Sequence, residues 1–210
     1  MTDSAIVQEA GLSNTIFRHS ITAAEAIVGK DDLNAVLYSA GLSRFVNKMP
    51  SDDLNLSITH EEYARLNEAI ERRYGRGGRG VLQRIGRQMF QDTLKSQGAF
   101  LGLLGTTMRL FPKSLRIRFM LTSLARSLQN TNPSVEAEVE EQDGKIAYVE
   151  RSCAVCHGRT SEQPICHIHI GELSEAVRWV VGEKHEIRET LCIAMGDDAC
   201  RFEVIEKPTK

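Results

Sequence analysis

Through the first two-thirds of the chain, apolar residues recur at the spacing of a helix face. Ile16, Phe17, Ser20, Ala23, Ala24 and Ile27 form one stripe, with Asn14 placed to cap the helix and Gly29 to end it. A second helix is expected from Asp31 to Ala40, stopped by Gly41. Residues 43 to 58 read as a connection. Thr59 and Glu62 then have the spacing of a capping box, and the helix they open carries Tyr63, Leu66, Ala69 and Ile70 on one side. It ends at Tyr74, where the glycine-rich run from Gly75 to Gly80 breaks the chain. The helical period resumes from Val81 through Leu82, Ile85, Met89, Phe90 and Leu94, and again in Leu115, Phe119, Leu121, Leu124 and Leu128.

Beyond Pro133 the period changes from that of a helix to that of a strand. Val135, Ala137 and Val139 alternate with Glu136, Glu138 and Glu140, Gln142 to Gly144 supplies a turn, and Ile146 and Tyr148 begin the return strand. An irregular cysteine-bearing loop, a helix from Ile168 to Val181 ended by Gly182, and a second hairpin around Gly196 to Asp198 follow. Ile187 to Ile193 and Arg201 to Ile205 are its strands. The expected class is therefore α+β: a helical N-terminal part packed on a small antiparallel sheet, with a C-terminal cysteine-rich metal-binding module. The expected divisions are a flexible N-terminus at 1–13, a helical region at 14–132 and an α+β module at 133–208, the last two forming one compact unit.

The 210 residues carry a net charge of −2 and are 41% hydrophobic. That length can bury a sizeable core. The near-neutral charge argues against nucleic-acid binding driven by a polycationic surface. No basic segment leads into an apolar run at the N-terminus, so a cytoplasmic location is expected. The most apolar window, Gly98 to Phe111, carries Arg109 and falls short of the roughly 18 apolar residues of a membrane span.

All five cysteines fall at or after position 153: Cys153, Cys156, Cys166, Cys192 and Cys200. An odd count without a secretion signal favours metal or redox chemistry over a disulfide framework. Cys192 and Cys200 flank the Gly196 turn and can converge across the hairpin. Cys166 precedes the helix and can fold back onto it. Glu189 lies three residues before Cys192, which in a regular strand sets the two side chains on opposite faces unless a bulge intervenes. Thiolates with one carboxylate would make a closed tetrahedral zinc site. Cys153, Cys156 and His157 also spell the Cys-x-x-Cys-His of covalent haem attachment, so iron or haem is an alternative, as is a redox pair or further metal ligation. His167 and His169 add possible ligands and would share a face if extended. The glycine-rich run lacks the lysine and strand context of a nucleotide loop and reads as a helix–helix connection. Phe100, Leu104, Met108, Phe111 and Phe119 are candidates to line an apolar ligand pocket.

Cys166-His-Ile-His-Ile-Gly171, the helix through Ala176 to Trp179, Gly182, Glu189-Thr-Leu-Cys192 and Gly196-Asp-Asp-Ala-Cys200-Arg-Phe202 together resemble the 4-vinyl reductase domain, over about residues 133 to 206. The resemblance implies a fold shared with haem nitric-oxide sensors, Golgi-transport tethering subunits and the aromatic-effector domains of phenol- and xylene-responsive activators. It also implies zinc at Cys166, Glu189, Cys192 and Cys200; Cys153 and Cys156 depart from that pattern. On this basis the expected function is binding or sensing of a small hydrophobic, aromatic or tetrapyrrole-like molecule by a homodimer with a structural metal. A reductase or accessory factor in tetrapyrrole or hydrocarbon metabolism is the enzymatic alternative, and a tethering protein the structural one. No dinucleotide fingerprint and no acid–base pair are visible in the sequence.

Overall fold

The computed structural model describes residues 11–96, 110–142 and 144–205. Its helices follow the apolar stripes closely. They are α1 (Asn14–Val28), α2 (Lys30–Ser39), α3 (His60–Tyr74), α4 (Gly78–Ser96), α5 (Lys113–Thr131) and α6 (His167–Val181). The Thr59–Glu62 capping box is formed in both directions at the start of α3. The glycine-rich break is only a 3-10 turn, Gly75–Gly77, after which α4 begins at Gly78. A side chain at Gly78 would strike the backbone of Glu71, so this glycine lets α3 and α4 pack closely at their junction.

Two local expectations differ from the structure. Asn14 does not cap α1: Ser13 precedes the helix, and the Asn14 amide instead donates to Asp53 in the connection between α2 and α3. Gly11 and Leu12, read as part of a loose N-terminus, form β1 (Gly11–Leu12), paired antiparallel with β2 (Ile58–Thr59). Ser13 N–H also donates to Asn132 Oδ1 at 2.6 Å, tying this segment to the end of α5. These long-range partners have no signature in local sequence.

The C-terminal third supplies β3 (Ala137–Gln142), β4 (Lys145–Glu150), β5 (Glu186–Leu191) and β6 (Cys200–Ile205). They form one antiparallel sheet in the order β3-β4-β6-β5. The structure is thus α+β, as the change of period predicts. The C-terminal hairpin is wedged beside β4, which is buried at five consecutive positions from Ile146 to Glu150. α5 packs on β3 and β4, and α6 lies against both α4 and α5. One continuous core runs from Phe17 in α1 to Val204 in β6, so helices and sheet share a single interior.

Candidate metal centre and adjoining cavity

The register of the sheet brings the chemistry to one end of one face. Glu150 pairs with Cys200 across β4 and β6, and in the next row Tyr148 pairs with Phe202, which pairs in turn with Glu189 of β5. All of these side chains are buried. A register shift between Glu189 and Leu191 supplies the bulge that the spacing required. It turns the strand so that Glu189 and Cys192 reach the same side, while Leu191 between them is exposed.

Cys166 stands just before the first turn of α6, where that helix meets the sheet. Its N–H donates to Glu189 Oε2 at 2.9 Å. The loop after β4 contributes Cys153 and Cys156, and is tied to the β5–β6 connection by Ser161 N–H donating to the Ala194 carbonyl. The result is a cluster of five free, buried thiols. Cys166 Sγ lies 3.6 Å from Cys153, 3.7 Å from Cys200 and 4.0 Å from Cys192, and Cys156 lies 3.4 Å from Cys200. Two quartets have their ligand atoms within 4.8 Å of one another: Cys166, Glu189, Cys192 and Cys200, and Cys153, Cys156, Cys166 and Cys200.

These distances suit a tetrahedral ion. A metal bound to sulfur at about 2.3 Å spaces its ligands by roughly 3.8 Å along each edge of the tetrahedron. Two further observations fit a cation among the thiols. Glu189 Oε1 is buried without a hydrogen-bond partner, and burial raises the Glu189 pKa. Without a cation the thiols also cannot ionise independently. Hydrogen bonds, first from Cys153, favour a thiolate at Cys156, while Cys166 and Cys200 are pushed up, again chiefly through Cys153. A divalent ion removes that conflict by stabilising several thiolates together. Ile193 N–H, 3.5 Å from Cys200 Sγ, and Asp197, accepting from Cys192 N–H at 2.8 Å, hold the hairpin end in place.

His157 lies outside both quartets. It is exposed, with its ring 5.7 Å from that of buried His60. The Cys-x-x-Cys-His run therefore splits, with its thiols inside the cluster and its imidazole outside. His167 and His169 do not share a face either. They sit in the first turn of α6, about 200° apart around the helix axis. His167 lines an open depression of about 910 Å³ that also reaches Arg79, His185 and Glu189. His169 lines a different cavity.

That cavity, about 250 Å³, lies where α1, α4, α5 and α6 meet the sheet. Its apolar walls include Ile16, Met89, Leu124, Leu128 and Leu173, with Tyr63 and Tyr148. Glu150 and His169 bring polar groups to it. His169 Nε2 is 3.6 Å from Glu150 Oε2, and its Nδ1 is 3.9 Å from Glu172. Burial pushes His169 down, but Glu150, Cys153 and Glu172 outweigh it and hold its pKa well above the usual value. Burial raises Glu150, with His169 opposing. Cys153 is within 4.8 Å of both, so the thiol cluster and the cavity adjoin.

Among the five residues expected to line a pocket, Phe100, Leu104 and Met108 lie outside the described residues. Phe111 and Phe119 are 52% and 47% exposed and do not line this cavity. The stripe on α5 turns Leu121 and Leu124 inward and leaves Phe119 toward solvent, a rotation that apolar content alone does not reveal. Glu150 had a signal that sequence reasoning missed: it continues the inward alternation Ile146, Tyr148, Glu150, putting a carboxylate where an apolar residue is expected.

Residues 148–206 match the family model of the 4-vinyl reductase domain, which places β4, the thiol cluster, α6 and the C-terminal hairpin within it. Over 99 residues the chain is 29% identical to the bacteriochlorophyll synthase 23 kDa chain of Cereibacter sphaeroides, covering 47% of this chain and 48% of that protein. Over 53 residues it is 34% identical to an uncharacterised protein of Methanocaldococcus jannaschii, covering 25% and 29%. The chain thus spans at most about half the length of these relatives. In fold it is similar to an H-NOX protein from S. oneidensis solved in the Fe(II)NO ligation state, with a TM-score of 0.56 and 14% identity, over 92% of this chain and 98% of that one. An unliganded Fe(II) H-NOX protein from K. algicida aligns with a TM-score of 0.59 and 10% identity, over 95% and 100%. The helical part and the sheet therefore share the H-NOX architecture across nearly the whole length. Among the described residues no helix is long and apolar enough to cross a membrane.

Proposed function

We propose that the protein binds or senses a small, largely apolar molecule, with a structural zinc ion at Cys166, Glu189, Cys192 and Cys200 fixing the wall beside its binding cavity. The observation that carries the ligand reading is Glu150. Its side chain is buried in the cavity wall, and its Oε2 has no hydrogen-bond partner. A buried carboxylate oxygen left unpaired is costly, and a ligand hydroxyl or other donor would satisfy it. The cavity is slightly smaller than the roughly 300–1,000 Å³ of pockets for drug-sized ligands, which suits a single aromatic ring or a short acyl group.

In this reading the metal acts on the fold. It pins α6, through Cys166, to the β5–β6 hairpin, so the helix that carries His169 into the cavity is held by the metal site. Ligand binding then biases the packing of α1 and α5 over the cavity and is passed to a partner surface, for which a second copy of the chain is the proposed occupant. The match to the 4-vinyl reductase domain and the H-NOX-like architecture support small-molecule binding as the class of function.

Titration with phenol, followed by the fluorescence of the tyrosines including Tyr63 and Tyr148, tests the reading. Saturable binding is expected, and Leu128→Trp should abolish it by filling the cavity in a protein that still unfolds cooperatively. Binding unaffected by that substitution would place the ligand elsewhere. The likeness to H-NOX proteins and to a bacteriochlorophyll synthase chain supports a second reading in which the ligand is a tetrapyrrole. Parallel titration with haem decides between them: a stoichiometric visible band displaced by no phenol would favour the tetrapyrrole.

A further inference from the structure

The two quartets of the thiol cluster coincide at Cys166 and Cys200 and nowhere else. We propose that the cluster is a two-metal centre in which the sulfurs of Cys166 and Cys200 bridge two divalent ions. Cys153 and Cys156 complete one tetrahedron, and Glu189 and Cys192 complete the other. The proposal rests on the single-ion reading above and adds a second ion to it.

The geometry is that of two tetrahedra sharing an edge. The shared edge, Cys166 Sγ to Cys200 Sγ, is 3.7 Å. The edges leaving it are 3.6 Å to Cys153, 3.4 Å to Cys156 and 4.0 Å to Cys192, all close to the roughly 3.8 Å edge of a tetrahedron with metal–sulfur bonds near 2.3 Å. Neither Cys153 nor Cys156 belongs to the quartet containing Glu189 and Cys192. The terminal pairs also come from different parts of the chain: one from the loop after β4, the other from the bulged end of β5. A thiolate has the lone pairs to bind two metals, whereas one tetrahedral ion can use only four of the six donors.

Charge and burial point the same way. Cys153, Cys156, Cys166, Cys192 and Cys200 are all buried, and Glu189 is 6% exposed with Oε1 unpartnered. One ion in either quartet leaves two donors of the other inside the protein and in contact with its bound thiolates. Two ions use all six donors, with five thiol protons passing to solvent as the bonds form. Their four positive charges against six negative ones leave −2. The donor set of five sulfurs and one carboxylate selects a borderline-soft, tetrahedral divalent ion, for which zinc is the physiological choice and cobalt(II) a reporting substitute. Glu189 lines the open depression, which gives the second ion a route in.

Native mass spectrometry of the full chain reconstituted with zinc counts the ions directly. Two per chain are expected in the wild type, falling to one in Cys153→Ser/Cys156→Ser and to one in Glu189→Gln/Cys192→Ser. A single ion in the wild type would overturn the two-metal centre while leaving the structural-metal reading intact, and no ion would overturn both. Should either double variant fail to fold, the cobalt(II)-loaded wild type supplies the second measurement. Two thiolate-bridged ions should couple magnetically and give far less electron paramagnetic resonance signal than two independent ones. Two ions with the full, uncoupled signal would rule out the bridge.

Discussion

Gly171 of α6 lies so close to Gln83 of α4 that a Cβ atom there would stand 2.2 Å from the Gln83 carbonyl oxygen. One turn along α4, a Cβ on Gly86 would meet the Ile168 carbonyl at 2.0 Å. The two helices therefore touch backbone to backbone, and this contact seats the start of α6, with Cys166 and His169, against the rest of the protein. Gly86→Ala or Gly171→Ala should force the helices apart and cost at least about 1–3 kcal/mol, the usual range for overpacking. Chemical denaturation checks the cost. Alanine at either site with unchanged stability would mean that the helices separate freely.

The metal reading predicts that chelation unmasks the thiols. All five are buried, so a disulfide reagent should find almost none reactive in metal-loaded protein and five after chelation. Loss of even a few kcal/mol in a chain of this size lowers Tm by about 10 °C. Equal thiol reactivity and equal Tm before and after chelation would show that no metal contributes to the fold.

Glu150→Gln removes the cavity's buried charge at nearly constant volume. His169 then loses the largest of the partners that raise its pKa, leaving burial to push it down. A histidine titration by NMR should show the His169 pKa falling, and phenol affinity should fall about tenfold, in line with roughly 1.4 kcal/mol for one charge-assisted hydrogen bond. A His169 titration unmoved by the substitution would mean that the two groups do not interact.

His60 makes stability depend on pH. Burial, and then the neighbouring His157, lower its pKa to about 4, and its Nε2 has no hydrogen-bond partner. Unfolded, it titrates near its ordinary value of about 6.5. Between those values the unfolded chain binds the extra proton, so stability is full above about pH 6.5 and declines as pH falls toward 4. After allowance for solvent screening the decline amounts to roughly 2 kcal/mol. Comparing wild type with His60→Leu across that range isolates it: the variant's stability should fall less steeply, and parallel curves would refute the assignment.

Each helix and strand of the C-terminal module was legible in the sequence because its signals are local. Gly182 ends α6, the alternation from Ile146 marks β4, and the two hairpins have turn residues at their tips. The sequence likewise grouped Cys166, Glu189, Cys192 and Cys200, through their likeness to a known ligand pattern, and required a bulge beside Glu189, which the register shift between Glu189 and Leu191 provides.

Tertiary structure alone decided how those elements meet. The order β3-β4-β6-β5 puts Cys200 beside Glu150, and no local pattern states which strand neighbours which. Folding of the loop after β4 carries Cys153 and Cys156 to the same sulfurs that Glu189 and Cys192 approach from β5. That convergence depends on contacts up to 44 residues apart between Cys156 and Cys200. The helical start of α6 sends His169 to the cavity and His167 to the opposite groove, because a helix turns about 100° per residue where a strand would have aligned them. Periodicity records which face of an element is buried. What that face is buried against depends on long-range packing, and it was that packing which joined a thiol cluster to a cavity floored by Glu150 and His169.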